Sequence, residues 1–89
     1  MHINYKQNML QARTSPNYSI LYYKKTHIAA VRRKFDDKKQ IFGWGGSKCQ
    51  LDEAQLRQYG DLALEKLDQG DSEKDVEEFI KRSVEPFLE

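Results

Sequence analysis

The sequence predicts an α+β fold, in which a three-stranded antiparallel sheet packs against two C-terminal helices. Three observations support this fold class. Residues 18–46 contain runs rich in Tyr, Ile and Val that are separated by turn residues. Two helix-start signals follow, at Asp52 and Ser72, each ahead of apolar residues at helical spacing. The 89 residues have room for one hydrophobic core, so we treat residues 1–89 as a single domain.

The first element is an N-terminal arm or a short helix within residues 1–16. Four apolar residues between Ile3 and Ala12 fit a short amphipathic helix, although no N-cap residue marks its start. A polar arm is the alternative. Pro16 ends the element in either case, because the residue before a proline avoids the helical region.

Three strands follow, at residues 18–24, 27–35 and 40–44. The first strand carries apolar residues on both faces, so its periodicity does not orient it. Residues 36–39, Asp-Asp-Lys-Lys, form the turn between the second and third strands. The glycine-rich residues 43–46 then connect the sheet to the first C-terminal helix.

The second hairpin predicts which side of the sheet is the core face. With Phe35 opposite Gln40, alternation places these apolar residues on one side: Val31, Phe35, Phe42 and Trp44. Arg33 falls on the same side, so it must extend past Phe42 to water or mark a β-bulge. The opposite side is then a basic, small-residue surface open to a partner, made of Ala30, Arg32, Lys34, Ile41 and Gly43.

The two helices are predicted at residues 52–69 and 72–85. Asp52 and Gln55 have the spacing of a capping box at the start of the first helix. Gly60 lies in the middle of that helix, where glycine costs about 1 kcal/mol relative to alanine, and it indicates close approach to a strand. Ser72 is the N-cap of the second helix, and Pro86 ends it.

Charge is distributed unevenly along the chain, although the formal net charge is only +1. Residues 1–50 contain ten Lys and Arg against two Asp, a balance of +8. Residues 51–89 contain five Lys and Arg against twelve Asp and Glu, a balance of −7. Such asymmetry indicates a nucleic-acid or membrane partner for the basic half, or mutual attraction of the two halves within the fold.

We interpret the basic half as a surface for the phosphates of double-stranded RNA or DNA, because a rigid sheet can present several cations to a nucleic-acid backbone. The predicted nucleic-acid-binding residues lie on strand faces, at hairpin ends and in the loop before the first helix: Lys24, Lys25, His27, Arg32, Arg33, Lys34, Lys38, Lys39 and Lys48. A solvated face with ordinary hairpin lysines is the alternative.

Two other functions fit the same sequence. A protein-binding regulator or inhibitor of phage or plasmid type would use acidic helices that imitate nucleic acid, through Asp61, Glu65, Asp68, Glu77 and Glu78. A small ribonuclease would use His27 with neighbouring arginines and tyrosines. The sequence has no nucleophile elbow and no zinc-ligand spacing, so we predict no enzymatic activity, no metal and no cofactor. A single cysteine and the lack of a long apolar run predict a cytoplasmic protein without a membrane partner.

Three short motifs resemble the double-stranded RNA-binding domain, whose element order is helix, three strands, helix. They are Pro16-Asn17-Tyr18 at the start of the first strand, Lys25-Thr26-His27 followed by Val31, and Gly43-x-Gly45-x-Ser47-Lys48 before the helix. The resemblance covers about residues 3–67. It implies that the first helix and the His27 loop touch successive minor grooves, and that Lys48 meets phosphates across the major groove between them.

The strand order followed by a helix also resembles the arm-binding domains of phage integrases. That resemblance implies that the sheet lies in the major groove of DNA, with Arg32, Lys34 and Lys38 making the contacts. RNA, DNA and protein partners therefore all remain open from the sequence.

Overall fold

The computed structural model describes residues 9–88, and the side chains of residues 14–88. Its elements are β1 Met9–Thr14, β2 Tyr18–Tyr23, β3 Ile28–Arg33, β4 Gln40–Gly45, α1 Glu53–Asp68, α2 Glu73–Val84 and a 3-10 turn at Glu85–Phe87. The strands form one antiparallel sheet in the order β1-β2-β3-β4. Helix α1 packs on the first three strands and α2 packs on β4. The predicted α+β class is confirmed.

The N-terminal segment differs from the prediction, because residues 9–14 form a strand rather than an arm or a helix. A hydrogen-bonded turn at residues 15–18 sets the direction of this strand. The Ser15 N–H donates to the Tyr18 carbonyl at 2.8 Å, and the Ser15 hydroxyl accepts the Tyr18 N–H at 3.2 Å. The turn folds β1 back onto β2, so the sheet has four strands instead of three. The part of the predicted helix within residues 1–8 lies outside the described residues.

The hairpin of β3 and β4 has a different register from the predicted one. Val31 lies opposite Phe42, whereas Arg32 lies opposite Gln40, so Ile41 is an extra residue that forms a β-bulge. The observed pairs differ from the predicted ones by two positions, because the hairpin closes at Arg33 and Lys39 rather than at Phe35 and Gln40, and the bulge then offsets part of that shift. An even shift leaves Val31, Phe42 and Trp44 on one face.

Phe35 was predicted in the core and is instead 59% exposed. The hairpin closes before Phe35, since the Arg33 N–H donates to the Lys39 carbonyl at 3.0 Å. The turn between these two residues contains positive φ angles at Asp36 and Lys38, of 64° and 51°. Phe35 therefore belongs to the turn, outside the paired part of the hairpin.

The hydrophobic core lies between the sheet and the two helices. The strands contribute Ile20, Tyr22, Ala29, Val31, Phe42 and Trp44, and the helices contribute Leu56, Ala63, Leu64, Leu67, Val76, Ile80 and Val84. Three of the four predicted core residues of the hairpin are thus confirmed. Gly60 lies directly over Ile20, because a Cβ added to Gly60 would be 3.0 Å from Ile20 Cγ2. The predicted close approach of α1 to a strand is confirmed.

Both helices begin where their capping residues predicted. The Asp52 carboxylate accepts the Gln55 N–H at 2.8 Å, and the Gln55 side chain accepts the Asp52 N–H at 2.9 Å. The Ser72 hydroxyl accepts the Asp75 N–H at 3.1 Å. Each bond satisfies a backbone group that the first helical turn leaves without an intrahelical partner. Within residues 9–88, no helix has the length and apolar character to cross a membrane.

Candidate nucleic-acid interface

The predicted basic residues divide into two groups at opposite ends of the sheet. Lys24 and Lys25 follow β2, and Lys48 follows β4 at the same end of the sheet, where the Gly46 N–H donates to the His27 carbonyl at 2.7 Å. The second group lies at the end of β3 and in the turn after it: Arg32, Arg33, Lys34, Lys38 and Lys39. The two ends of a six-residue strand are about 17 Å apart, so the groups are separate contact regions.

The second group surrounds a shallow surface depression, which we call the basic depression. Its lining residues are Ser19, Arg32, Arg33, Lys34 and Lys38. Four of these five residues are cations and none is a carboxylate. Ser19 lies opposite Arg32 across the strand pair and is 7% exposed. A ligand that enters the depression therefore meets hydrogen-bond donors and positive charge.

Backbone carbonyls hold two of these cations in place. Arg32 Nε donates to the Lys38 carbonyl at 2.9 Å, which uses one of the five N–H donors of the guanidinium. Lys34 Nζ donates to the Ser15 carbonyl at 3.1 Å, which uses one of its three donors. Carbonyl groups position the cations without neutralising their charge, so both side chains keep donors for an anion.

Arg33 differs from these residues because carboxylates on two sides neutralise it. Its Nε and Nη2 atoms donate to the two oxygens of Glu73 at 3.0 and 2.6 Å, and Nη1 donates to Asp37 at 3.0 Å. The Tyr18 hydroxyl also donates to Glu73, at 2.9 Å. The side chain thus extends from the helix side of the sheet to the start of α2. This network joins the sheet to α2, and it was not predicted.

The electrostatics of the network follow from its hydrogen bonds. The bond from Arg33 lowers the pKa of Glu73, and the same bond raises the pKa of Arg33. Burial, followed by the bond to Glu73, raises the pKa of the Tyr18 hydroxyl. The pKa of Asp37 is lowered first by the backbone N–H of Lys39. The ion pair of Arg33 and Glu73 is therefore charged at neutral pH, and Arg33 has a structural role.

His27 also makes its polar contacts within the protein. Its Nε2 atom lies 2.6 Å from the Leu51 carbonyl, and its Nδ1 atom lies 2.7 Å from the Tyr22 hydroxyl. A carbonyl only accepts, so Nε2 donates, and in the neutral ring Nδ1 accepts from Tyr22. The residue has a φ of 57° and joins the β2–β3 turn to the segment before α1. This geometry gives His27 a role in the fold.

The outer face of the sheet, opposite the helices, is not the open surface that was predicted. Ala30 is fully buried there, and Leu21 is 6% exposed. The Tyr23 side chain of β2 crosses β3, and its hydroxyl lies 3.5 Å from Gln40 Oε1 of β4. Cations are available at the two ends of the face and not at its centre.

The acidic residues of the alternative prediction are divided between the two helices. Asp61, Glu65 and Asp68 recur on one side of α1 and line a groove beside the β1–β2 turn. Glu77 and Glu78 lie on α2, where Glu77 pairs with Lys81 at 2.8 Å and Glu78 is exposed. The structure therefore brings three of the five together.

Two residues of the basic end were not identified from the sequence. Glu73 was not among the predicted site residues, yet the charge of Arg33 on the core face was a signal that a carboxylate should lie nearby. Ser19 had no distinguishing sequence signal, because its role depends on strand pairing.

Comparisons with protein-family models, curated proteins and solved structures give no match. The helix that the double-stranded RNA-binding domain places first has no counterpart in residues 9–14, which form β1. The contact implied for that helix therefore has no residues in the described part of the chain. Among residues 9–88, no group of His, Cys, Asp and Glu side chains has the arrangement of a metal site.

Proposed function

We propose that this protein binds double-stranded nucleic acid, RNA or DNA, through phosphates that contact the basic depression. The observation that supports this function is the convergence of Arg32, Lys34 and Lys38 around Ser19 without a carboxylate in the lining. Phosphate oxygens accept hydrogen bonds and carry negative charge, so they complement guanidinium, ammonium and hydroxyl donors.

The group at the other end of the sheet supplies a second phosphate contact. Lys24, Lys25 and Lys48 are all exposed there. The separation of about 17 Å exceeds the widths of the duplex grooves, about 6 and 12 Å, so the two ends reach phosphates on either side of a groove. Two contact regions so arranged favour a duplex over an isolated phosphate group. Arg33 and His27 act in the fold and make no contact with nucleic acid in this proposal.

The test measures binding of labelled duplex RNA, duplex DNA and single strands as a function of salt concentration. Counterion release makes the logarithm of the binding constant fall linearly with the logarithm of salt concentration, with a slope of about −0.9 per phosphate contacted. The double variant Arg32→Gln, Lys38→Gln removes two proposed contacts. We expect it to weaken binding and to reduce the steepness of that slope by about 2.

The matched control is the double variant Lys74→Gln, Arg82→Gln. It removes the same net charge from exposed positions on α2 that do not line the depression. We expect the control to keep the wild-type slope. Equal losses in the two variants would show that only overall charge matters. Failure of the wild-type protein to bind either duplex at low salt would refute the proposed function.

A second candidate function is supported by the acidic groove beside the β1–β2 turn. Two exposed carboxylates of its lining, Glu65 and Asp68, complement a basic segment of a protein partner. Under this alternative, Glu65→Lys abolishes the biological activity of the chain, whereas the Arg32→Gln, Lys38→Gln variant retains it. The opposite result supports nucleic-acid binding.

A further inference from the structure

A second surface depression lies at the basic end of the sheet and meets the basic depression at Arg33. We call it the Phe35 depression, and its volume of about 360 Å³ is at the lower end of the range for small-ligand sites, about 300–1,000 Å³. Its lining residues are Asn17, Tyr18, Arg33, Phe35, Asp36 and Glu73. Arg33 lines both depressions, and Lys34 of the basic depression is next to Phe35 in the chain. Groups bound in the two depressions are therefore neighbours.

The two depressions differ in charge. Four cations and no carboxylate line the basic depression. Among the lining residues of the Phe35 depression, Arg33 is the one cation, and Glu73 neutralises it through hydrogen bonds of 3.0 and 2.6 Å. Asp36 adds an exposed carboxylate. A phosphate group is therefore attracted to the basic depression and repelled from the Phe35 depression.

The Phe35 depression offers the groups that bind a nucleobase. The Phe35 ring is a flat aromatic surface, 59% exposed, on which a base can stack. The Asp36 carboxylate accepts hydrogen bonds, and the amino groups of adenine, cytosine and guanine donate them. The Asn17 amide, which is also exposed, both donates and accepts. A base thus fits this depression, whereas its phosphate fits the adjoining one.

Backbone hydrogen bonds on both sides of Phe35 hold it in position. The Lys34 N–H donates to the Asn17 carbonyl at 3.0 Å, and the Lys38 N–H donates to the Phe35 carbonyl at 3.3 Å. A side chain that extends from a fixed backbone loses little backbone freedom when a ligand stacks on it, so less of the binding energy is spent on ordering the site.

We infer that an unpaired nucleobase stacks on Phe35 while its phosphate binds in the basic depression. The inference rests on the proposed function and specifies its ligand, a duplex that carries an unpaired nucleotide at its end or at a junction. Within a duplex, neighbouring bases cover both faces of each base and pairing uses its amino groups, so a paired base does not enter the depression. An unpaired base costs the least to remove from the stack.

The test measures binding of the full chain to two duplexes, prepared both as RNA and as DNA, that differ by one base. Each carries a one-nucleotide extension, placed at either terminus of the strand in turn. The extension is adenine in the first duplex and an abasic nucleotide in the second, so the number of phosphates is the same. Stacking of one base on an aromatic side chain increases affinity by roughly 5- to 150-fold, and we expect the adenine duplex to bind more tightly by a factor in this range.

The failure of the inference is distinguishable from the failure of the proposed function. Equal binding of the adenine and abasic duplexes, at both placements of the extension, overturns the inference and leaves duplex binding intact. A protein that binds neither duplex at low salt refutes the proposed function, and the inference with it.

Variants of Phe35 separate stacking from a general apolar contact. Phe35→Leu keeps an apolar side chain without an aromatic face, so we expect it to bind the two duplexes equally. Phe35→Trp keeps an aromatic face and should retain the preference for adenine. The matched control is Phe79→Leu, because Phe79 of α2 is 38% exposed and does not line the depression, and it should retain the preference as well. A preference for adenine that persists in Phe35→Leu contradicts the inference.

Discussion

Replacing Gly60 by alanine tests how closely α1 approaches the sheet. The added Cβ would lie 3.0 Å from Cγ2 and 3.2 Å from Cγ1 of Ile20. Ile20 is fully buried and β-branched, so its side chain has little freedom to move aside, and overpacking of this kind costs about 1–3 kcal/mol. Alanine in a helix interior is favoured over glycine by about 1 kcal/mol. We expect the clash to prevail and to lower the free energy of unfolding by up to about 2 kcal/mol.

The assay is urea unfolding of Gly60→Ala in the wild-type background and in an Ile20→Ala background. Ile20→Ala costs about 2–5 kcal/mol by itself, but it removes both γ carbons that meet the new Cβ. In that background the gain of about 1 kcal/mol from helix propensity remains, and Gly60→Ala should be stabilising. A stabilising osmolyte, used in all four samples, keeps the weakest variant folded. Stabilisation by Gly60→Ala in both backgrounds would refute the close contact.

Two further predictions concern the polar contacts of the fold. Because Arg33 lowers the pKa of Glu73, the stability from this carboxylate is present above its unfolded pKa of about 4.3 and is lost as pH falls through the lower folded value. Glu73→Gln should therefore lose stability at pH 7 and approach the wild type in acid, by thermal unfolding across pH, whereas Glu78→Gln should follow the wild type throughout. His27→Asn tolerates the positive φ but is too short to reach Leu51, so urea unfolding should show a loss of about 1–3 kcal/mol, and an unchanged value would contradict the bridge.

Local signals in the sequence predicted the helices, because a capping box or an N-cap bond involves residues only three apart. Asp52 and Ser72 make those bonds as expected. The identity of β1 was not predictable in the same way. The apolar residues before Pro16 fit a short helix, and what makes them a strand is the hairpin turn at Ser15 together with the free edge of β2. The local sequence allows either a helix or a strand, and pairing with β2 selects the strand.

The candidate site was predictable as a set of residues but not as a geometry. The hairpin closes at Arg33 and Lys39 and has a bulge at Ile41, and no residue type at these positions marks either feature. The bond between Arg33 and Glu73 joins residues 40 apart in the chain, so it depends on how α2 packs against the sheet. Sequence reasoning recognised that Arg33 was out of place on the core face without identifying its partner.

Arg32 and Arg33 show why the same residue type has different roles at adjacent positions. Alternation along β3 places them on opposite faces of the sheet. Arg33 lies on the helix side, where it meets the carboxylate of Glu73 and its charge is neutralised within the fold. Arg32 lies on the outer side, where a backbone carbonyl positions it beside Ser19 and no carboxylate lines the depression. A count of basic residues cannot separate these roles, because only the pairing of strand and helix determines which positive charges remain for a ligand.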